Sequence, residues 1–290
     1  MPTDDRQVER AERFLALHHA DAILVLPNAW DAASARIFAA AGARAIGTTS
    51  MGIAASHGYA DAQRVPFGRM LDSVEAIARA VDLPVSADLE AGWGDTPGEV
   101  ARAVGQVVER GAVGVNLEDG TGDPARPVSE PGVLAGKIAA VREATAAAGL
   151  HLVINARTDV FLRAVGPPEG RLEEAVRRGR AYREAGADCV FVPGGLDAET
   201  LAALVEALAC PLNALANPAT AAPVVPPIPE LEALGVARVS VGSGPMRATL
   251  SLTARVAEEL FGPGTYGALE RELRDPGARA AYGAAVGGVE

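Results

Sequence analysis

Short apolar, β-branched runs recur eight times along this chain, at intervals of roughly 25 to 40 residues, and that repetition constrains the fold most. They read AILVLP (22–27), AIGTTS (45–50), LPVSADLE (83–90), VGVNLED (113–119), LVINARTD (152–159), CVFVP (189–193), LNALAN (212–217) and RVSVGSG (238–244). Between them lie Ala-rich segments with helical spacing. In DAASARIFAAAGA, Asp31 is the expected N-cap and Gly42 the stop. In TPGEVARAVGQVVERGA, Thr96 caps, Pro97 takes the first helical position and Glu99 completes a capping box. Strand then helix, eight times over, predicts an α/β fold of the closed (β/α)8 TIM-barrel type. A doubly wound open sheet is the alternative, disfavoured by the count of eight and by the lack of GxGxxG after the first run.

The 290 residues suit this reading, because an α/β barrel uses about 250 residues as one domain. Residues 1–262 are expected to form a single catalytic barrel. The tail, 263–290, lies outside the eight units and is expected to be a helical extension that contacts a neighbouring subunit. The Pro-rich stretch NPATAAPVVPPIPELEALG (217–235) reads as a stiff loop before a short helix, not as a linker. A net charge of −11 argues against a nucleic-acid surface. Cys189 and Cys210 form no pairing or CxxC pattern, which suits a reducing compartment. The charged start lacks a signal peptide's apolar core, and no apolar run reaches the roughly 18 residues of a membrane span. The expectation is a cytoplasmic protein without a membrane or nucleic-acid partner.

Barrel chemistry gathers at the carboxyl ends of the strands. Those ends carry Asn28, Trp30 and Asp31 in the first unit, and Thr48, Thr49, Ser50 and Met51 in the second. Asp88 and Glu90 follow in the third, Asn116, Glu118 and Asp119 in the fourth, and Asn155, Arg157 and Asp159 in the fifth. The seventh supplies Asn213 and Asn217, the eighth Ser240, Ser243 and Gly244. Asp88, Glu90 and Glu118 are therefore expected to converge, and Asp61 joins them from the loop after the second strand. The alternation Asp88-Leu89-Glu90 predicts both acids on one side of the strand. Such a group repels itself unless protons or a cation neutralise it. With oxygen donors and no nearby His or Cys, the ion predicted is Mg²⁺, or else Mn²⁺. The bland alternative is that these acids pair with helix caps and loop arginines.

Arg157, inside an apolar strand, is either a structural ion pair or a fork for a substrate carboxylate. TTSMG offers backbone amides to an anion, and VGSGPMR either binds an anion or simply starts a helix at Gly244-Pro245. His18 and His19 are expected to be solvated, and His151 to lie on the stability face. His57 is on the functional side without a defined role. The two cysteines read as core thiols.

Four stretches, taken together and in order, resemble the isocitrate lyase/phosphoenolpyruvate mutase superfamily over nearly the whole chain. They are PNAWDAASARIFAAAGARAIGTTSMGIAASHGYAD, VSADLEAGWGD, GVNLEDG and NARTDVF. The resemblance implies a barrel whose last helix is swapped between subunits, in a homo-oligomer that is a tetramer or dimer. It implies Mg²⁺ and a small 2-oxo carboxylate or its enolate at the strand ends. By motif position, Asp88, Glu90, Glu118 and Asp61 match the metal-site acids. Thr49, Ser50 and Met51 match the loop holding the substrate carboxylate, and Arg157 matches the carboxylate-binding arginine. Asn213 is added as a substrate-binding candidate from the seventh strand end, and Arg157, Asp61 and Glu118 as the catalytic set.

Two departures narrow the activity. Members commonly carry Asp-x-Asp where this chain has Asp88-Leu89-Glu90, one methylene longer. The Lys-Cys-Gly-His loop of isocitrate and methylisocitrate lyases is replaced by EDGTGDPARPVSEPG, whose only cation is Arg126. The Lys and Asn of the phosphonomutase loop are missing too. The loop from Asp119 to about Gly132 is expected to act as a mobile lid. The reading is a Mg²⁺-dependent enzyme cleaving C–C bonds, of lyase, decarboxylase or oxo-acid hydrolase type. Phosphonomutase or phosphonopyruvate hydrolase chemistry, and an oxo-acid-binding barrel without turnover, are the alternatives.

Overall fold

The structure is a computed structural model that describes residues 4–217 and 225–287. All eight runs form strands, and the first is broken by Pro27 into β1 (Leu24–Leu26) and β2 (Asn28–Ala29). There follow β3 (Ile46–Thr48), β4 (Val85–Asp88), β5 (Gly114–Glu118), β6 (Val153–Arg157), β7 (Cys189–Phe191), β8 (Leu212–Leu215) and β9 (Arg238–Ser240). Every pairing is parallel, in the order β1-β9-β8-β7-β6-β5-β4-β3-β2. β1 pairs with β9 and β2 with β3, so the two halves of one broken strand close the barrel.

Asn28 secures that closure. Its Oδ1 accepts from the amides of Val241 and Gly242 at 2.9 and 2.8 Å, and its Nδ2 donates to the Thr48 carbonyl at 2.8 Å. The close approach requires a glycine at position 47, where a Cβ would lie 2.9 Å from Asn28 Nδ2.

The helices are α1 (Asp5–Leu17), α2 (Ala32–Ala40), α3 (Ser50–Ser56), α4 (Phe67–Ala80), α5 (Pro97–Glu109) and α6 (Pro131–Ala147). They continue as α7 (Arg171–Glu184), α8 (Ala198–Leu208), α9 (Ile228–Ala233), α10 (Gly244–Phe261), α11 (Gly267–Leu273) and α12 (Pro276–Ala285). Local chemistry explains their starts. Asp31 and Thr96 both close capping boxes, the second with Glu99. Each such cap stabilises its helix by about 1 kcal/mol. Gly244-Pro245 begins α10, as one of the two readings of that segment holds. Of the Pro-rich 217–235 stretch, residues 218–224 lie outside the described residues, and α9 is its short helix.

Apolar strand faces pack on the helices, as with Val115, Leu117, Ile154 and Val190. The barrel interior is unusually polar. Arg238 of β9 reaches across it to donate from Nη2 to Asn116 Oδ1 of β5 at 3.3 Å, and Asn155 Nδ2 donates to the same oxygen at 2.8 Å. Burial pushes the Arg238 guanidinium down to about 10.

Here one expectation fails. His19 is exposed, but His18 is buried beneath the barrel, at 2% exposure. It caps the C-terminus of α1, its Nδ1 is 2.8 Å from the Phe14 carbonyl and its ring meets Phe14 edge-on. Its Nε2 lies 3.5 Å from Arg238 Nη1. Burial, followed by the Arg238 charge, lowers its pKa from 6.5 to about 4. Asp188 and the Phe14 carbonyl oppose this, and His19 adds to it. A depressed histidine favours the neutral folded state, so its contribution is present above pH 6.5 and lost as pH falls towards 4. We expect acid to cost about 3 kcal/mol by this route. His18→Gln should flatten that part of the stability–pH curve, as measured by urea unfolding between pH 7 and 4.

The last helices leave the barrel. α10 buries only Met246, and Leu250 and Phe261 are 53% and 90% exposed. Val25, in the middle of β1, is 39% exposed, so no helix among the described residues covers that part of the wall. α12 returns to lie against α2, where Arg36 Nη1 donates to the Ala285 carbonyl at 3.1 Å. Among the described residues no helix is long and apolar enough to cross a membrane.

Candidate active site

The carboxyl ends of the strands open on two adjoining cavities of about 470 and 220 Å³, which share Ser50, Asp61, Ala62, Arg157 and Arg163. That volume suits a small ligand. The larger is also lined by Asn28, Thr49, Met51, Asp88 and Asn116, the smaller by Glu90 and Glu118.

Asp88 ends β4, and its side chain is held tightly. Its Oδ2 accepts from Ser50 N at 3.0 Å and Ser50 Oγ at 2.8 Å, while Oδ1 faces Asn116 Nδ2 at 3.4 Å. The Ser50 amide, expected to hold a substrate carboxylate, is thus committed to Asp88. Thr49 is the N-cap of α3, its Oγ1 accepting from Gly52 N at 3.3 Å, and Met51 lies in the first turn.

Glu90 reaches the mouth by a different route from the one strand alternation predicts. β4 stops at Asp88, and Glu90 sits in a left-handed turn with φ of 51°. Trp93 follows at φ 55°. Gly92, at φ 98°, has no room for a side chain, since a Cβ would meet Val100 at 2.7 Å. Left-handed backbone at non-glycine residues costs energy, and such residues cluster at functional sites. The Glu90 carboxylate accepts from Gln63 N at 2.8 Å, tying its turn to the loop that carries Asp61.

Electrostatics separates the acids from the bases. Burial and then the neighbouring Asp61 and Asp88 charges push Glu90 up to about 8. Burial raises Asp61 as well, with Asp88 adding to it. Burial raises Glu118, but Arg157 Nη1 lies 2.8 Å from its Oε2 and opposes the shift. Because arginine keeps its proton, we read that contact as an ion pair.

Arg157 is more committed than its sequence position suggests. Asp159, fully buried, takes its Nε at 2.6 Å and its Nη2 at 3.1 Å, and the guanidinium lies 5.7 Å from the Phe191 ring centre. With Glu118 on Nη1, three of its five N–H donors are used, which leaves two for a ligand.

Asp61, Asp88, Glu90 and Glu118 therefore share one mouth, together with Thr49, Ser50, Met51 and Arg157. Asn213 does not reach it. Its side chain is fully buried and its Nδ2 is 3.2 Å from Ser240 Oγ, so it belongs to the barrel interior. Nor do the four acids form a ready-made cage: among the described residues no three His, Cys, Asp or Glu side chains are grouped to hold a metal. The donor set still fits a hard divalent cation, because it is all oxygen and four carboxylates line one mouth. His57 is turned away, its Nε2 3.0 Å from Ser73 Oγ. His151 pairs with Asp188 at 2.7 Å, away from the strand ends.

Sequence reasoning missed three cations: Arg64 lines the smaller cavity. Arg163 and Arg247 line the larger cavity from the loop after β6 and the first turn of α10, whereas Arg126 lines neither cavity. Arg163 reaches Asp159 at 3.3 Å. None of the three belongs to a strand run, and only the folded loops bring them in.

A closed parallel barrel with acids and arginines gathered at its strand ends defines a class, the α/β barrels with a polar pocket at the carboxyl ends of the strands. Comparison makes this specific: the phosphoenolpyruvate phosphomutase family profile matches residues 14–261. The chain belongs to this family, within the isocitrate lyase/phosphoenolpyruvate mutase superfamily, whose enzymes are lyases or mutases. It is 37% identical over 245 residues to an uncharacterised protein of Mycobacterium tuberculosis, covering 84% of this chain and 87% of that one. It is 32% identical to the 2-methylisocitrate lyase of Bacillus subtilis, over 67% of this chain and 62% of that enzyme. A crystal structure of a candidate lyase/mutase from Burkholderia cenocepacia superposes with a TM-score of 0.87 at 36% identity, covering 96% and 97% of the two chains.

Proposed function

We propose that this chain is a Mg²⁺-dependent enzyme that forms or stabilises the enolate of a small 2-oxo carboxylate, with cleavage of a C–C bond. The observation that carries this reading is that two adjoining cavities at the strand ends bring four acids (Asp61, Asp88, Glu90 and Glu118) together with Arg157, Arg163 and Arg247. Mg²⁺, or Mn²⁺, would be held by the acidic wall and would supply Lewis-acid stabilisation of the developing enolate. Arg157 offers its two remaining N–H donors to the substrate carboxylate, and the first turn of α3 faces the same group. Glu118 and Asp159 keep the guanidinium from turning, which preserves alignment of the breaking bond. Asp61, next to Glu90 and Asp88 at the mouth, would act in catalysis through the cation it helps to hold.

Arg163 and Arg247 extend the charge argument. Arg157 and Arg163 are already partly spent on Glu118 and Asp159, so the free cationic capacity matches a substrate with two acidic groups, and each further carboxylate would be desolvated against an arginine that an acid of the protein already holds. Isocitrate should therefore be a poor substrate. The deciding assay is a panel of 2-oxo and 2-hydroxy mono-, di- and tricarboxylates, with and without Mg²⁺. Release of a pyruvate-like product from a diacid supports the reading, and efficient isocitrate cleavage would overturn the charge argument. The family match to phosphoenolpyruvate phosphomutase favours one rival, P–C chemistry, which phosphorus NMR on phosphonates would reveal.

The lid belongs to the same proposal. A Gly120–Val128 bridge closes its base, and residues 121–126 are exposed. We expect Mg²⁺ plus oxalate, a planar mimic of an oxo-acid enolate, to slow limited proteolysis there at least severalfold. Equal cleavage rates would remove the lid.

For the chain as a whole we propose a barrel over 1–262 and a tail, 263–290, that serves a homo-oligomer through exchange of the last barrel helix. The uncovered Val25 and the solvated apolar face of α10 support this. Phe261→Glu should shift the assembly to smaller species in light scattering.

A further inference from the structure

Behind the site lies a second, fully buried set of charges that the proposed chemistry does not use. Asp119 is the first residue beyond β5 and roots the lid. Its Oδ2 accepts from Tyr182 Oη at 2.7 Å and from Arg178 Nη1 at 2.9 Å, both on α7. Arg178 Nη1 also donates to the Ser129 carbonyl at 2.7 Å, and Ser129 N donates to the Asp119 carbonyl at 2.8 Å. One guanidinium thus clamps both ends of the lid. Its Nε is held by Glu174 at 2.6 Å.

The remaining oxygen of Asp119 points the other way. Oδ1 accepts from Asp159 N at 2.9 Å, and the Asp119 amide donates to the Arg157 carbonyl at 3.1 Å. Asp159 is the residue whose carboxylate grips Arg157 on two atoms. The side chains of Asp119 and Asp159 are both 0% exposed, so water does not compete for these bonds.

We propose that Asp119, Arg178 and Tyr182 are positioning residues that couple the lid to Arg157, so that the lid's root and the orientation of the anion-binding guanidinium change together. A charged group bonded on both sides in a dry setting has few intermediate arrangements, because each broken bond leaves an unpaired buried charge. When the lid root shifts, Asp119 loses either its α7 partners or its bond to the Asp159 amide. Loss of the second frees the backbone on which Asp159 holds Arg157. The role assigned to Arg157 and the lid's action rest on the proposed function, but the linkage of residues 119–129 to Asp159 does not.

The test uses the full chain and hydrogen exchange without ligand. Tyr182→Phe removes one bond to Asp119 and preserves the packing; Arg178→Lys keeps the charge but cannot serve Asp119 and Ser129 in the same way. Both should speed exchange of the amides at 119–130, and also at 157–163, by roughly tenfold. Tyr182 and Arg178 make no hydrogen bond to residues 157–163 among the described residues, and α7 packs on β6, so a merely structural role would loosen α7, the lid root and β6 up to Arg157 but leave the amides at 158–163 unchanged. Faster exchange confined to those elements would overturn the coupling. Isothermal titration with Mg²⁺ plus oxalate then reads the functional side. Affinity should fall about fivefold in Tyr182→Phe and be lost in Arg157→Lys. If the wild-type protein binds no oxalate, the proposed function fails, and the exchange result still decides the coupling.

Discussion

Asp88→Ala should remove Mg²⁺ dependence while leaving the barrel folded. Asp88 ends β4 at the centre of the acidic wall and is fixed by Ser50 N, Ser50 Oγ and Asn116 Nδ2. Among the described residues no other acid of the mouth is held by three donors in this way. Its loss should weaken cation binding and lower Mg²⁺-dependent turnover by roughly 10³-fold or more, the scale of several kcal/mol of charge stabilisation. Circular dichroism should be unchanged, because the orphaned donors face a cavity that water can enter. In the wild-type protein Mg²⁺ should raise the thermal midpoint, and in the variant it should not. Undiminished turnover in Asp88→Ala, still abolished by a chelator, would show that Asp88 does not hold the cation.

Arg157→Lys should be the second severe variant. The guanidinium bonds Asp159 twice and Glu118 once, and stacks near Phe191. An ammonium keeps the charge but cannot span both oxygens of Asp159 while also serving Glu118 and a ligand. We expect kcat/KM to fall by roughly 10² to 10³, with kcat taking most of the loss because alignment suffers more than attraction. Near-normal turnover would mean that Arg157 is a structural ion pair and nothing more.

Much of this was legible in the chain. The eight strand runs, the Asp31 and Thr96 caps and the proline-led start of α5 and α10 all rest on interactions within a few residues. Once the barrel is inferred, topology alone brings Asp88, Glu118 and Arg157 to one face. Glu90 lines the mouth, but not by the route the sequence predicts. Strand alternation predicts it, but a left-handed turn beyond the strand delivers it.

What the sequence determined by itself is the order of elements and the end of the barrel at which the acids and Arg157 gather, because both follow from short-range periodicity and from the handedness of βα units. The tertiary structure decided which donors are already spent. Ser50 is committed to Asp88 from 38 residues away, Asp119 to Tyr182 from 63, and Asn116 to Arg238 from 122. It also buried His18 and brought Arg163 and Arg247 to the cavity. Such pairings depend on side chains meeting across the closed barrel, where each buried polar group must find a partner, and local sequence carries no record of that meeting.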